Sequence, residues 1–339
     1  MPTAVSSLAS SASEALETGR SNGVTGRTKP ELYILSEFHP DAIIHAQSLF
    51  DCVLPTDKEA LEWRKRATAI LIKDYYITAE DLDAAPQLRA IGKQGVGLDK
   101  VDVQACEARG IKVFNTPGVN ASAVAEMTLA LAMSVAREIP AMVRRQMGGE
   151  IIRKQTVSGL LLSSKVLGVI GMGNIGQAVA KMFGGGLGTP IIAFDPYFPA
   201  DGGPWKDIPH QRAHDLKELL ETADIVTVHV PLTPSTRNLI SYPEISTMKR
   251  SAILLNTARG GIVNEDDLAR ALEEKLIWGA GFDCHVQEPP TREKYGLLWR
   301  NQRFVGTPHI AAATDETQVA TTNAATDAVF KYMSEKSKI

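Results

Sequence analysis

The sequence predicts an α/β protein of two doubly wound parallel-sheet domains, and three observations carry that prediction. Short apolar runs alternate with helical patterns from residue 31 onward, as expected of parallel strands joined by crossover helices. The alternation comes in two series, one on each side of a long and almost uniformly apolar helical stretch that begins at residue 121. At 339 residues the chain is also longer than a single hydrophobic core usually grows.

The elements follow in order. Residues 1–29 are rich in Ser, Ala, Gly and Thr and carry no hydrophobic run, which predicts a flexible tail; Glu14 and Glu17 argue against a transit peptide. The first series of strands is "ELYILS" (31–36), "ATAILIK" (67–73), "LRAIGK" (88–93) and "IKVFNT" (111–116). Between them "TAEDLDAAP" has a capping Thr78, an acidic first turn and a terminating Pro86, so it is expected to be a short helix. "NASAVAEMTLALAMSVAREIPAMVR" is apolar on nearly every side, so it predicts a helix covered by another domain or another subunit.

The second series has six strands: "KVLGVIG", "TPIIAFD", "ADIVTVHVP", "SAILLNTA", "IWGAGFD" and "RFVGTPH". "GGGLGT" (184–189) is taken as a glycine-rich connection, and the stretch from Asp315 as a final helix.

Bulk composition excludes several functions. With 36 basic against 39 acidic side chains the net charge of −3 gives no electrostatic reason to bind nucleic acid or an anionic membrane. No apolar run reaches the roughly 18 residues of a membrane span. Cys52, Cys106 and Cys284 have neither metal-knuckle nor disulfide spacing, so the expectation is a reduced cytoplasmic protein without a metal.

Chemistry first surfaces in "LGVIGMGNIGQAVA" (167–180), a strand, a glycine turn and a helix start. Gly171 suits the tight turn, Gly173 a close backbone approach to a pyrophosphate and Gly176 close helix packing, while the helix N-terminus offers amides to phosphate. "TPIIAFD" then ends in Asp195, 19 residues after Gly176, where an acidic side chain accepts from a ribose and repels a 2′-phosphate. This favours NAD over NADP; the alternative is that Asp195 merely opens a turn with Pro196.

Arg259, Glu288 and His309 fall just past three later strands, where ligands of open parallel sheets bind. Together with "GVGLDKVD" (95–102), "NTPG", "GMGNIG", "FDPY", "HVPLTPSTRNLI", "NTARGGIVNE", "FDCHVQEPP" and "TPHIAAAT", they give a chain that resembles the D-isomer-specific 2-hydroxyacid dehydrogenase family from about residue 31 onward. Its motifs stand nearest the phosphoglycerate members.

The resemblance implies a Rossmann-type NAD domain (121–311) inserted into a flavodoxin-like substrate domain (30–120 plus 312–339). It implies catalysis by Arg259, Glu288 and His309, with His309 as proton carrier, Glu288 as its orienting partner and Arg259 on the substrate carboxylate or keto oxygen. It adds cofactor contacts at Asn174, Ile175, Val230, Pro231, Thr236, Thr257, Asp283 and Ala312, although Pro231 and Thr236 equally suit a simple turn. Val96 and Gly97 match its substrate loop.

Lys73 and Lys93 fall where phosphoglycerate members place basic groups, so a small anionic acid is expected, possession of a phosphate being open because strand-end lysines are also commonly just solvated. A homodimer is usual in the family. Glyoxylate or hydroxypyruvate reduction is the alternative activity, and an NAD-sensing transcriptional corepressor the alternative of another class. Glu288, where formate dehydrogenases of this fold carry Gln, disfavours formate.

Overall fold

The computed structural model describes residues 29–199 and 201–336, so the expected tail lies almost entirely outside the described residues. Two sheets, parallel throughout, organise the rest. The first contains β1 (Glu31–Ile34), β2 (Asp51–Val53), β3 (Ala69–Ile72), β4 (Ala90–Lys93) and β5 (Lys112–Phe114), in the flavodoxin-like order β2-β1-β3-β4-β5. Helices α1 (Pro40–Leu49), α2 (Trp63–Arg66), α3 (Ala79–Asp83) and α4 (Val103–Ala108) connect its strands. Thr78 caps α3 as expected, in a reciprocal box with Asp81.

Helices α5 (Ala121–Ala136) and α6 (Ile139–Met147) lead to the second sheet. Its strands are β6 (Leu167–Ile170), β7 (Ile191–Phe194), β8 (Gln211–Arg212), β9 (Ile225–Val228), β10 (Ile253–Asn256), β11 (Gly279–Phe282) and β12 (Phe304–Gly306). They run in the order β12-β11-β10-β9-β6-β7-β8, the Rossmann order extended by one strand. Helices α7 (Asn174–Leu187), α8 (Leu216–Thr222), α9 (Tyr242–Thr247), α10 (Glu265–Glu273) and α11 (Arg292–Arg300) alternate with these strands. Helix α12 (Asp315–Lys336) then returns to the first sheet, where Ala325, Val329 and Met333 share a core with Leu32, Ile34 and Leu71.

Strands β3, β6, β9 and β10 are buried at every position, because helices cover both faces of each sheet. The all-round apolarity of α5 has the same origin: it packs on α7, β10 and β11.

The glycine-rich stretch 184–189 corrects the sequence expectation. It is no connection: α7 continues through Gly184, Gly185 and Gly186 to Leu187 and stops only at left-handed Gly188, whose N–H bonds the Gly184 carbonyl at 3.1 Å. Glycine costs a helix roughly 1 kcal/mol per residue. Here the packing of α7 along α5, with Phe183 fully buried, outweighs that penalty.

Glycines also set how closely α5 lies on the sheet. A Cβ at Gly279 would fall 2.4 Å from the Arg303 carbonyl oxygen and 2.7 Å from a Val135 methyl. Gly279→Ala should therefore destabilise the protein by about 1–3 kcal/mol, read by calorimetry as a thermal midpoint several degrees lower; an unchanged midpoint would mean that α5 yields freely.

Candidate functional site

The carboxyl ends of β6, β7, β9, β10, β11 and β12 form one rim, and the end of β4 meets it from the first sheet. At β6, Gly171 adopts φ +97°, and a Cβ there would sit 2.6 Å from the His229 carbonyl oxygen and 2.9 Å from a Val230 methyl. A Cβ at Gly176 would sit 2.2 Å from the Gly171 carbonyl oxygen. Gly173, the residue before α7, has open space beside it. That space, in front of the N-terminus of a fourteen-residue helix, fits a pyrophosphate.

The intervening Met172 is fixed from both sides. Its N–H donates to Asp195 Oδ2 at 2.9 Å and its carbonyl accepts from the buried Trp205 indole at 2.8 Å. Asp195 Oδ1 accepts from the Tyr197 N–H at 3.0 Å. The carboxylate at the end of β7 is thus locked onto the glycine turn and only partly buried, in the position a ribose diol would meet.

The other expected cofactor residues divide into two groups. Asn174 opens α7 against Gly118, Ile175 packs into the α5–α7 core, and Val230 borders Gly171. Thr236, Thr257 and Asp283 have side chains committed within the protein. The Thr236 hydroxyl donates to the Pro231 carbonyl at 2.6 Å, and the Thr257 hydroxyl pairs with Thr128 of α5 at 3.0 Å. The buried Asp283 carboxylate accepts from the Thr307 hydroxyl at 2.6 Å and from the N–H groups of Ile310 and Ala311, beside Ala312, at 2.9 Å.

His309 stands on the loop that Asp283 gathers. Its own N–H bonds the Asp283 carbonyl at 2.7 Å, and it holds φ +58°, a conformation that costs an L-residue roughly 1–2 kcal/mol. The Nδ1 lies 2.9 and 3.0 Å from the two oxygens of Glu288, whose Oε1 also accepts from the His285 N–H at 3.2 Å. Hydrogen bonding to Cys284 and then to Glu288 pushes the His309 pKa up to about 10 against the opposing effect of burial. Burial would raise Glu288, but the His309 hydrogen bond and charge prevail and hold its carboxyl below the usual value.

Arg259 is placed by the turn after β10. Buried Asn256 accepts from the Ala258 N–H at 3.1 Å and donates to the Arg259 carbonyl at 2.8 Å. Its Nε then crosses to the first sheet's loop and donates to Asp99 Oδ2 at 3.0 Å. A Cβ at Gly97 would fall 1.8 Å from Arg259 Nη2, so glycine makes room for the guanidinium. Asn115 Nδ2 holds the Val96 carbonyl at 2.6 Å.

Lys93 is buried, with Nζ on the Gln94 carbonyl at 2.6 Å, and burial pulls its pKa down to about 8. Lys73 Nζ donates to Gln318 of α12 at 3.3 Å. Asp99 and Cys284, absent from the expected set, join it here. Asp99 lies two residues beyond Gly97, but nothing local marks it as a partner for a side chain 160 residues later.

A glycine-turn helix, an acidic residue on the next strand, and a guanidinium beside an imidazole–carboxylate pair define a dinucleotide-dependent α/β protein. Residues 129–311 match the family model described as D-isomer specific 2-hydroxyacid dehydrogenase, NAD binding domain. The chain is 40% identical over 242 residues to hydroxypyruvate reductase of Thermotoga maritima, covering 71% of this chain and 76% of that protein. It is 37% identical over 294 residues to D-3-phosphoglycerate dehydrogenase of Methanocaldococcus jannaschii, covering 86% of this chain but spanning only 55% of that protein. D-lactate dehydrogenase of Aquifex aeolicus, solved with NAD and lactic acid, superposes with TM-score 0.78 at 26% identity, over 91% of this chain and 96% of that one.

The chain therefore belongs to the D-isomer specific 2-hydroxyacid dehydrogenase family, and NAD is the cofactor of its second sheet. Among the described residues no helix is long and apolar enough to cross a membrane.

The pair at β11 and β12 has a sign-defined pH dependence. Because folding raises the His309 pKa, its stabilising contribution is complete below the unfolded value of about 6.5 and fades as pH climbs toward about 10. In Glu288→Gln the imidazole should titrate at least one unit lower in a ¹H–¹⁵N NMR titration. An unmoved midpoint would show that Glu288 does not set it.

Proposed function

We propose that the chain interconverts a D-2-hydroxy acid and its 2-keto acid, with Arg259 gripping the carboxylate, His309 moving the hydroxyl proton and Glu288 holding the imidazole. The observation that carries this is the convergence of Arg259 with the His309–Glu288 pair on neighbouring strand ends. NAD, when bound, supplies the hydride acceptor or donor.

The raised His309 pKa suits the reductive direction, because the imidazolium is ready to donate a proton to the keto oxygen as C2 is reduced. Glu288 offsets the charge so that this form persists near neutrality. A bidentate guanidinium orients the planar carboxylate and leaves C2 to face the cofactor side. Val96 and Gly97 offer backbone at the same loop. Asp195, anchored to the glycine turn, supports NAD over NADP through repulsion of a 2′-phosphate.

For the acid itself, the positive charge of Lys93 at the end of β4, whose following loop meets Arg259, supports a second anionic group, as in 3-phosphohydroxypyruvate. A small unphosphorylated acid such as hydroxypyruvate is the second reading, favoured by the existing contacts of Lys73 and Lys93 with Gln318 and the Gln94 carbonyl.

A panel of 2-keto acids followed by NADH absorbance decides between them. Turnover should be at least about 10-fold better with NADH than with NADPH, and absence of turnover with every acid would refute the proposal. If the lysines hold a phosphate, Lys73→Ala with Lys93→Ala should raise KM for 3-phosphohydroxypyruvate about 10-fold or more and leave hydroxypyruvate nearly unaffected. Equal effects on both acids would assign the lysines to the fold.

The exposed apolar side chains of Val143, Met147, Ile151 and Leu161 around α6 support a homodimer. Light scattering should give twice the chain mass, and a monomer at micromolar concentration would reject it.

A further inference from the structure

Beneath the His309–Glu288 pair lies a third group that neither gives nor takes a proton in the proposed reaction. Cys284 is the second residue past β11, next after Asp283, and is 1% exposed. Its Sγ, a Glu288 carboxylate oxygen and a His309 ring nitrogen all lie within 4.8 Å of one another. Glu288 and His309 are 37% and 42% exposed, so the cluster has a buried sulfur floor and an oxygen–nitrogen rim open to the crevice.

We propose that Cys284, Glu288 and His309 form a binding site for a thiophilic divalent cation, Zn²⁺ foremost, whose occupancy reversibly blocks turnover.

The donor set and its spacing carry the inference. Zn²⁺ takes thiolate sulfur at about 2.3 Å, imidazole nitrogen at about 2.0–2.1 Å and carboxylate oxygen at about 2.0–2.2 Å, close to tetrahedrally. Tetrahedral ligand atoms at those lengths are roughly 3–4 Å apart. The His309–Glu288 separation of 2.9 Å already approaches this range, and the thiol needs at most a small shift of a side chain on a loop. One thiolate, one imidazole and one carboxylate favour Zn²⁺ over Mg²⁺ or Ca²⁺, which prefer all-oxygen shells. The fourth position faces the crevice and is left to water.

Spacing alone hides the cluster, because Cys284 and Glu288 lie on one loop while His309 arrives from the next strand. Binding is redox-neutral. The metal–sulfur and metal–nitrogen bonds replace the thiol proton and the imidazolium proton, and both protons pass to solvent. With Nδ1 on the metal His309 can no longer become the doubly protonated imidazolium, and the N–H left on its other nitrogen is too weak an acid to protonate the keto oxygen. The block on turnover thus rests on the proton-carrying role proposed for His309, whereas the binding itself does not.

The test separates the two. Co²⁺ titrated into the full chain should give a thiolate-to-cobalt charge-transfer band in the near ultraviolet. That band should vanish in Cys284→Val and in Cys284→Ala, each checked for folding by circular dichroism, and persist in Cys52→Ser. Calorimetry should show one Zn²⁺ per chain, weakened at least about 10–100-fold in either Cys284 variant. Zn²⁺ inhibition, normalised to each variant's own metal-free rate and reversed by a chelator, should weaken in parallel, and Mg²⁺ should have no effect.

No charge-transfer band in the unaltered chain, or a band and affinity retained in both Cys284 variants, overturns the site. A Cys284-dependent band with full turnover at saturating metal upholds the site and removes His309 from proton transfer.

Discussion

Asp283 carries a carboxylate with no exposed surface, and three donors from the strand β12 loop converge on it. A buried carboxylate left without partners would be prohibitively costly, so the loop is bound to close over it in the one arrangement that satisfies its oxygens. That arrangement bends the chain through His309 in a left-handed conformation and delivers the imidazole to Glu288. The main chain of Asp283 extends the tie in both directions, donating to the Asn256 carbonyl at the end of β10 and accepting from the His309 N–H. Three neighbouring strand ends are thus one hydrogen-bonded unit. The groups proposed to act on the acid sit at its two extremities.

A second constraint is spatial. A Cβ at Gly260 would lie 2.0 Å from the His285 backbone carbon, so the turn bearing Arg259 rests directly on the turn bearing Glu288. Gly97 makes the corresponding space on the other sheet for the Arg259 guanidinium. Small residues at these contacts let neighbouring loops approach closely, and the Arg259–Asp99 ion pair bridges the rims of the two sheets.

Much of the fold was legible because parallel strands covered on both faces read as near-continuous apolar runs, as at 69–72 and 167–170, and at 225–228 with Thr227 the one polar residue. The strands β2 and β8 were not legible. They lie at sheet edges, are two or three residues long, and β8 consists of the exposed pair Gln211 and Arg212, so no hydrophobic signal marks them. The triple glycine in α7 misled because local propensity favours a loop where the fit against α5 dictates a helix. At the site, Arg259, Glu288 and His309 could be found because each follows a strand. The partners of Arg259 and His309 at Asp99 and Cys284 could not, because they depend on which loops the folded chain brings face to face.

The Asp99–Arg259 pair means that the guanidinium facing the crevice already has an anionic partner in this structure. Under the role proposed for Arg259, an incoming acid would not add a new ion pair to the protein; it would trade places with, or crowd beside, a carboxylate the chain already supplies. Part of its attraction would then be cancelled in advance, which would temper the grip on any one acid and ease departure of the product. On that proposal the same internal anion would rank acids by what they offer beyond the carboxylate, so selectivity would pass from the arginine to whichever neighbouring groups reach the remainder of the molecule.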